Sequence, residues 1–149
     1  MAVLVDTCVL LRAFDTMSPQ YRDVRRCLRK LIDDNERIVI GVQNVAEFWN
    51  VCTRPLNQNG QGCDAARAAQ RVRLIEQVCE VLAEDIRSFE SWKQLCERHA
   101  VSGVAVHDAR LISVMLTRQI DRILTLNERD FRRYEPEGIV IVTPQSVLS

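Results

Sequence analysis

The sequence has no excess of either charge: 20 lysines and arginines balance 20 aspartates and glutamates, for a formal net charge of zero. A polybasic tail is thereby excluded. No apolar run approaches the roughly 20 residues that span a bilayer. The apolar start Met1-Ala2-Val3-Leu4-Val5 has no basic flank, and Asp6 interrupts it. A soluble, unexported, cytoplasmic protein is expected. The six cysteines (Cys8, Cys27, Cys52, Cys63, Cys79 and Cys96) form no C-x-x-C pair, and neither His99 nor His107 adjoins one. Zinc is disfavoured, and the cysteines are expected to be reduced and mostly buried. What is present is globular usage, 47% hydrophobic and 27% charged, far from the signature of disorder. At this length one domain, residues 1–149, is expected.

Short, near-continuous apolar runs at 2–5, 37–41, 122–125 and 138–142 are those of strands buried on both faces of a parallel sheet. Residues 78–83 read as an edge strand or a helix end, with strand favoured. Between the runs the period becomes helical. Ser18-Pro19 resembles an N-cap followed by a first-turn proline, and Tyr21, Val24, Leu28, Leu31 and Ile32 follow at helical spacing. Val42, Val45, Trp49 and Cys52 do the same. Residues 64–77, 88–99 and 108–118 complete the helices. The alternation predicts a three-layer α/β/α sandwich around a central parallel sheet of four to five strands. The Pro-, Asn- and Gly-bearing stretch 53–62 is a loop, either a plain connector or a cover for a bound strand.

In such sheets, ligands bind beyond the C-terminal strand ends. Asp6 follows the first strand at once, Glu47 lies one to two turns into the helix after the second, and Asp108 opens a helix after an extended Val104-Ala105-Val106. Asn127 and Asp130 come after the strand ending near Thr125. Each has an ordinary explanation. Asp108 alone reads as a helix N-cap, and Asp130 as a turn cap. Asp6 is harder to dismiss, because an ionised carboxylate at the end of a buried strand costs several kcal/mol unless a cation accompanies it. An arginine or a divalent metal would serve. An all-oxygen donor set suits Mg²⁺ or Mn²⁺, and Mg²⁺ so held is usual in phosphoryl chemistry.

The ordered set Val-Asp6-Thr7, Val-Ala-Glu47-Phe, His-Asp108-Ala-Arg-Leu and Leu-Thr125-Leu-Asn127-Glu-Arg-Asp130-Phe131 resembles the PIN-domain nucleases over essentially the whole chain. The compact single-domain form is most similar to the VapC-type toxin ribonucleases of toxin–antitoxin pairs. This resemblance implies a metal-dependent endoribonuclease using Mg²⁺ or Mn²⁺, with Asp6 and Asp108 as principal metal ligands and Glu47 as a further acidic member. It also implies a 5′-phosphate product, a small antitoxin protein as partner, and a homodimer. The chain departs from the family pattern at the fourth acidic position, where Asn127 stands and Asp130 follows three residues later. Either completes the site: Asn127 through its carbonyl, Asp130 through its charge. Thr7 and Thr125 are placed either to orient the acids by hydrogen bonding or to satisfy backbone groups.

Of the 20 basic residues, 18 are arginine and only Lys30 and Lys93 are lysine, a bias that favours bidentate phosphate contacts and that a GC-rich genome would also produce. Arg22, Arg25, Arg26 and Arg29 form a stripe that reads as a solvated face or as a contact for phosphates or an acidic partner segment. Trp49 and Trp92 fall in apolar stripes and are expected in the core rather than as base-stacking platforms. His99 reads as a helix-end residue, His107 as structural or substrate-facing. A catalytically inactive RNA- or protein-binding module is the alternative, motivated by Asn127. A phosphotransfer domain using Asp6 fits less well, since Asp6-Thr7-Cys8 lacks a D-x-D pair.

Overall fold

The computed structural model describes all residues, 1–149, and contains five strands: β1 (Ala2–Val5), β2 (Arg37–Gly41), β3 (Glu80–Leu82), β4 (Arg122–Leu124) and β5 (Val140–Val142). All pair in parallel, in the order β3-β2-β1-β4-β5. β1 is central, its Val3 opposite Ile38 and its Val5 opposite Leu124. Successive side chains of a strand face opposite ways, and the core divides accordingly. Val3, Val5, Ile38, Ile40 and Leu124 join one buried cluster, while Leu4, Val39 and Ile123 join the other.

Helices cover both faces: α1 (Thr7–Arg12), α2 (Tyr21–Asp33), α3 (Val42–Thr53), α4 (Ala65–Glu76), α5 (Ile86–Arg98), α6 (Ala105–Thr117), α7 (Glu128–Phe131) and α8 (Pro144–Leu148). The three-layer architecture expected from the alternating pattern is the one observed, with 78–83 supplying the edge strand β3. No helix is long and apolar enough to cross a membrane. All six cysteines are free thiols, with Cys27, Cys52 and Cys79 buried.

Several local expectations need correction. The helix expected from Ser18-Pro19 starts at Tyr21, because the Ser18 hydroxyl accepts from the Gln20 N–H and closes a turn ahead of the helix. Val104-Ala105-Val106 is not extended. Gly103 adopts φ +60° and its carbonyl accepts from the Val106 N–H, so the turn is made early and α6 begins at Ala105. Asp108 therefore lies within the first turn of α6 rather than at its N-cap. Trp49 is 37% exposed, not a core residue.

Hydrogen bonds pin the 53–62 loop. Cys52 O, Arg54 O and Val51 O accept from the N–H groups of Cys63, Gly62 and Gln61, and the Gln61 amide donates to Leu11 O. A side chain at Gly60 would collide with the Arg54 backbone, so only glycine permits this approach.

Candidate active site

The parallel sheet aligns the C-terminal ends of β1, β2 and β4 along one edge, and the acids follow from those ends. Asp6 ends β1 and caps α1: its Oδ1 accepts from the Thr7 N–H at 2.8 Å. Its Oδ2 accepts from the Thr125 hydroxyl at 2.7 Å, at the end of β4, and from the Cys8 thiol at 3.3 Å. The carboxylate is only 8% exposed. Burial raises its pKa, and the bonds from Thr125, Cys8 and Thr7 counter that rise. Charged hydrogen bonds are the stronger kind, and here they hold one rotamer.

Glu47 projects from the second turn of α3, half-buried. The Gln43 amide, one turn earlier, donates to Glu47 Oε1 at 2.9 Å and to the His107 carbonyl at 2.8 Å, tying α3 to the start of α6. Burial pushes the Glu47 carboxyl above its ordinary range, and the charge of Asp6 adds to that. Asp108 is pushed up to about 7, first by burial and then by the charges of Asp6, Asp130 and Glu47. Three acids from three other segments thus act on Asp108. Asp130, in α7, is exposed, and its charge is felt by both Asp6 and Asp108. Asn127 is exposed as well, and its side chain makes no hydrogen bond. Its backbone N–H instead donates to Thr125 Oγ1 at 3.0 Å, fixing the hydroxyl that holds Asp6.

Of the two threonines, Thr125 contacts an acid through its hydroxyl. Thr7 does so through its backbone, while its hydroxyl accepts from the Asn44 amide at 3.0 Å. Asn44 is fully buried and also accepts from the Gly41 N–H, so it locks the start of α3 to α1. Neither Gln43 nor Asn44 is anticipated by the sequence reading. The signal for Gln43 was its position four residues before Glu47, which puts both on one helical face.

None of the chain's ion pairs includes Asp6, Glu47, Asp108 or Asp130. Of the two cation sources considered from sequence, a paired arginine is therefore absent; Arg133 and Arg110 act on the cluster only at longer range. The donors are hard oxygens, as Mg²⁺ or Mn²⁺ prefers. Gln43 Oε1 is buried beside them without a donor, as an atom awaiting a water or a hydrated ion would be. No three acidic, histidine or thiol side chains close on a common point, and the arrangement is an open one. Mg²⁺ commonly keeps several waters and takes only one or two carboxylates, so the residues fit such an ion.

An α/β/α sandwich bearing unpaired acids at the C-terminal sheet edge defines a class of domain, and sequence comparison identifies it. The PIN-domain family model matches residues 3–136. The chain belongs to the PIN-domain family. No protein of curated function matches it closely in sequence. Among solved structures, VapBC-1 from nontypeable Haemophilus influenzae is similar at a TM-score of 0.69 and 12% identity, covering 97% of this chain and 99% of that one. FitAcB from Neisseria gonorrhoeae is similar at 0.67 and 16%, covering 96% and 98%. VapC20 of Mycobacterium tuberculosis, a sarcin–ricin loop cleaving toxin, is similar at 0.62 and 14%, covering 93% and 96%. The shared fold runs the length of the chain.

Proposed function

We propose that this PIN domain, residues 1–149 as one unit, is an endoribonuclease dependent on Mg²⁺ or Mn²⁺ and the toxin of a toxin–antitoxin pair. One observation carries the reading: four acids from distant segments act on one another at the C-terminal sheet edge, and no basic side chain pairs with them. Uncompensated carboxylates of this kind repel one another unless a cation is supplied.

In this reading Asp6 and Asp108 hold the ion, with Glu47 and Asp130 completing the acidic surface. Held there, the ion would supply Lewis-acid activation of a water and neutralisation of charge at the phosphodiester. Thr125, the Thr7 N–H and Cys8 keep Asp6 in one rotamer. Gln43 keeps Glu47 turned toward the cluster and ties it to the helix that carries Asp108. Asn127 contributes through its backbone by fixing Thr125, and Asp130 supplies the fourth charge. In this reading that charge stands in for the acid missing at 127.

The similar structures of VapBC-1 and FitAcB support an antitoxin protein as partner; we propose a homodimer as the working assembly and the cytoplasm as its compartment. Incubating the partner-free protein with a mixed pool of tRNA, rRNA fragments and unstructured RNA tests the function. Cleavage is expected in Mg²⁺ or Mn²⁺ and is expected to stop with EDTA. Cleavage that persists in EDTA would refute the metal-dependent mechanism.

A further inference from the structure

Beside the acids, between α5 and the first turns of α6, lies an open cleft of about 380 Å³ whose walls include Glu84, Ser88, Phe89, Trp92, His107 and Arg110. It adjoins the acidic site in three ways. His107 precedes Asp108 in the chain, its carbonyl is held by the same Gln43 amide that holds Glu47, and Glu47 is within electrostatic reach of both His107 and Arg110. The aromatic wall is fixed on one side. Trp92 Nε1 donates to Val106 O at 2.9 Å, and the Phe89 ring lies 6.3 Å from the Trp92 ring at an interplanar angle of 26°. Phe89 remains 48% exposed, with the Lys93 ammonium 4.9 Å from its ring centre.

The opposite wall is polar: Arg110 forms a two-point pair with Glu84 at 2.6 and 2.7 Å. A flat heteroaromatic group with hydrogen-bonding edges matches a cleft that is aromatic on one side and charged on the other. Phosphate does not, because Glu84 and Asp85 lie on the wall.

We infer that the cleft holds one unpaired nucleobase of the RNA substrate, stacked on Phe89 and Trp92 next to the scissile phosphate, and that Phe89 is a substrate-positioning residue. This rests on the ribonuclease reading above. It makes the enzyme selective for RNA with a base free to leave its stack, as at a loop or bulge.

Phe89 is exposed, so its variants fold. Three are compared with wild type: Phe89→Ala, Phe89→Leu and Phe89→Trp. Steady-state cleavage of a wild-type-sensitive RNA is measured alongside binding by the non-cleaving Asp108→Asn protein of the same RNA, carrying 2-aminopurine at successive positions around the cut. Stacking of one base implies that KM rises about tenfold in Phe89→Ala, with kcat nearly unchanged. Phe89→Leu should not restore it, Phe89→Trp should, and 2-aminopurine should be quenched at one position only, with the quench lost in Asp108→Asn/Phe89→Ala. If wild type cuts RNA while Phe89→Ala cuts it with an unchanged KM, the base site is refuted and the nuclease reading stands. If wild type neither cuts nor binds RNA, both fall. If Phe89→Ala instead turns a dimer into a monomer by light scattering and Phe89→Leu restores the dimer, the cleft is a subunit face and the base site is refuted.

Discussion

Thr125, at the end of β4, donates its hydroxyl to Asp6 Oδ2 at 2.7 Å, joining two strand ends 119 residues apart in sequence. Both residues are buried, and the bond opposes the rise that burial imposes on the Asp6 carboxyl. Replacing Thr125 with valine keeps the volume and removes the donor. A hydrogen bond to a charged group is worth about 1.5–3 kcal/mol. Thr125→Val should therefore lower kcat about tenfold or more and move the acid limb of the pH–rate profile to higher pH, because Asp6 then ionises later. A profile that stays in place would show that this bond does not govern Asp6.

Gln43 offers a second lever on the same edge. Its amide bonds Glu47 and the His107 carbonyl, and the bond to Glu47 lowers that carboxyl's pKa. Gln43→Leu should lower kcat about tenfold, leave KM for RNA within twofold, and shift the acid limb upward. A rise in KM with an unchanged profile would place Gln43 in substrate binding instead.

Asp130 and Asn127 are separable. Only the first contributes charge to Asp6 and Asp108, and the backbone N–H through which Asn127 holds Thr125 survives a side-chain change. Asp130→Asn should weaken Mn²⁺ binding about tenfold or more. Asn127→Ala should change it by about twofold or less. The reverse ranking, read by calorimetry, would make Asn127 the ligand.

The stability of the metal-free protein should fall as pH rises. Asp6, Glu47 and Asp108 all have carboxyl pKa values raised by folding. The folded chain therefore binds more protons than the unfolded one between the ordinary aspartate value near pH 4 and about 7, where Asp108 titrates. Across that window stability declines with pH, and above it the contribution of Asp108 is lost. Solvent reaches Asp108, and screening there limits its share to about 1–2 kcal/mol. Mg²⁺ at pH 7.5 should recover this and raise the melting temperature by several degrees, while at pH 4 it should do nothing. An apo protein whose melting temperature rises steadily from pH 4 to pH 7 would contradict the raised values.

The sheet was legible in the sequence because buried parallel strands are near-continuous apolar runs, and β1, β2, β4 and β5 all have that form. The short α1 was not. It starts directly on the Asp6 cap and spans only Thr7–Arg12, too few residues to express a helical period. The start of α6 was misplaced because Val104-Ala105-Val106 mimics a strand locally, while the turn at Gly103 decides the matter. Trp49 matched an apolar stripe of which the packing around α3 uses Val45 and Cys52 and leaves Val42 and Trp49 exposed. At the site, the acids were visible as residues following strands, since topology alone brings them to one edge. Gln43 and Asn44 were not, because a buried amide declares itself only through partners that are distant in the chain, here His107 and Thr7.

Asp6 and Asp108 are proposed to make a binding site for a divalent cation. Calorimetric titration of the partner-free chain with Mn²⁺ at pH 7.5 tests this most directly, beside Asp6→Asn and Asp108→Asn proteins shown by circular dichroism to be folded. The wild type should bind saturably, and each variant should lose at least about tenfold in affinity. A wild type that takes up no Mn²⁺, or variants that bind it as tightly as wild type, would contradict the claim.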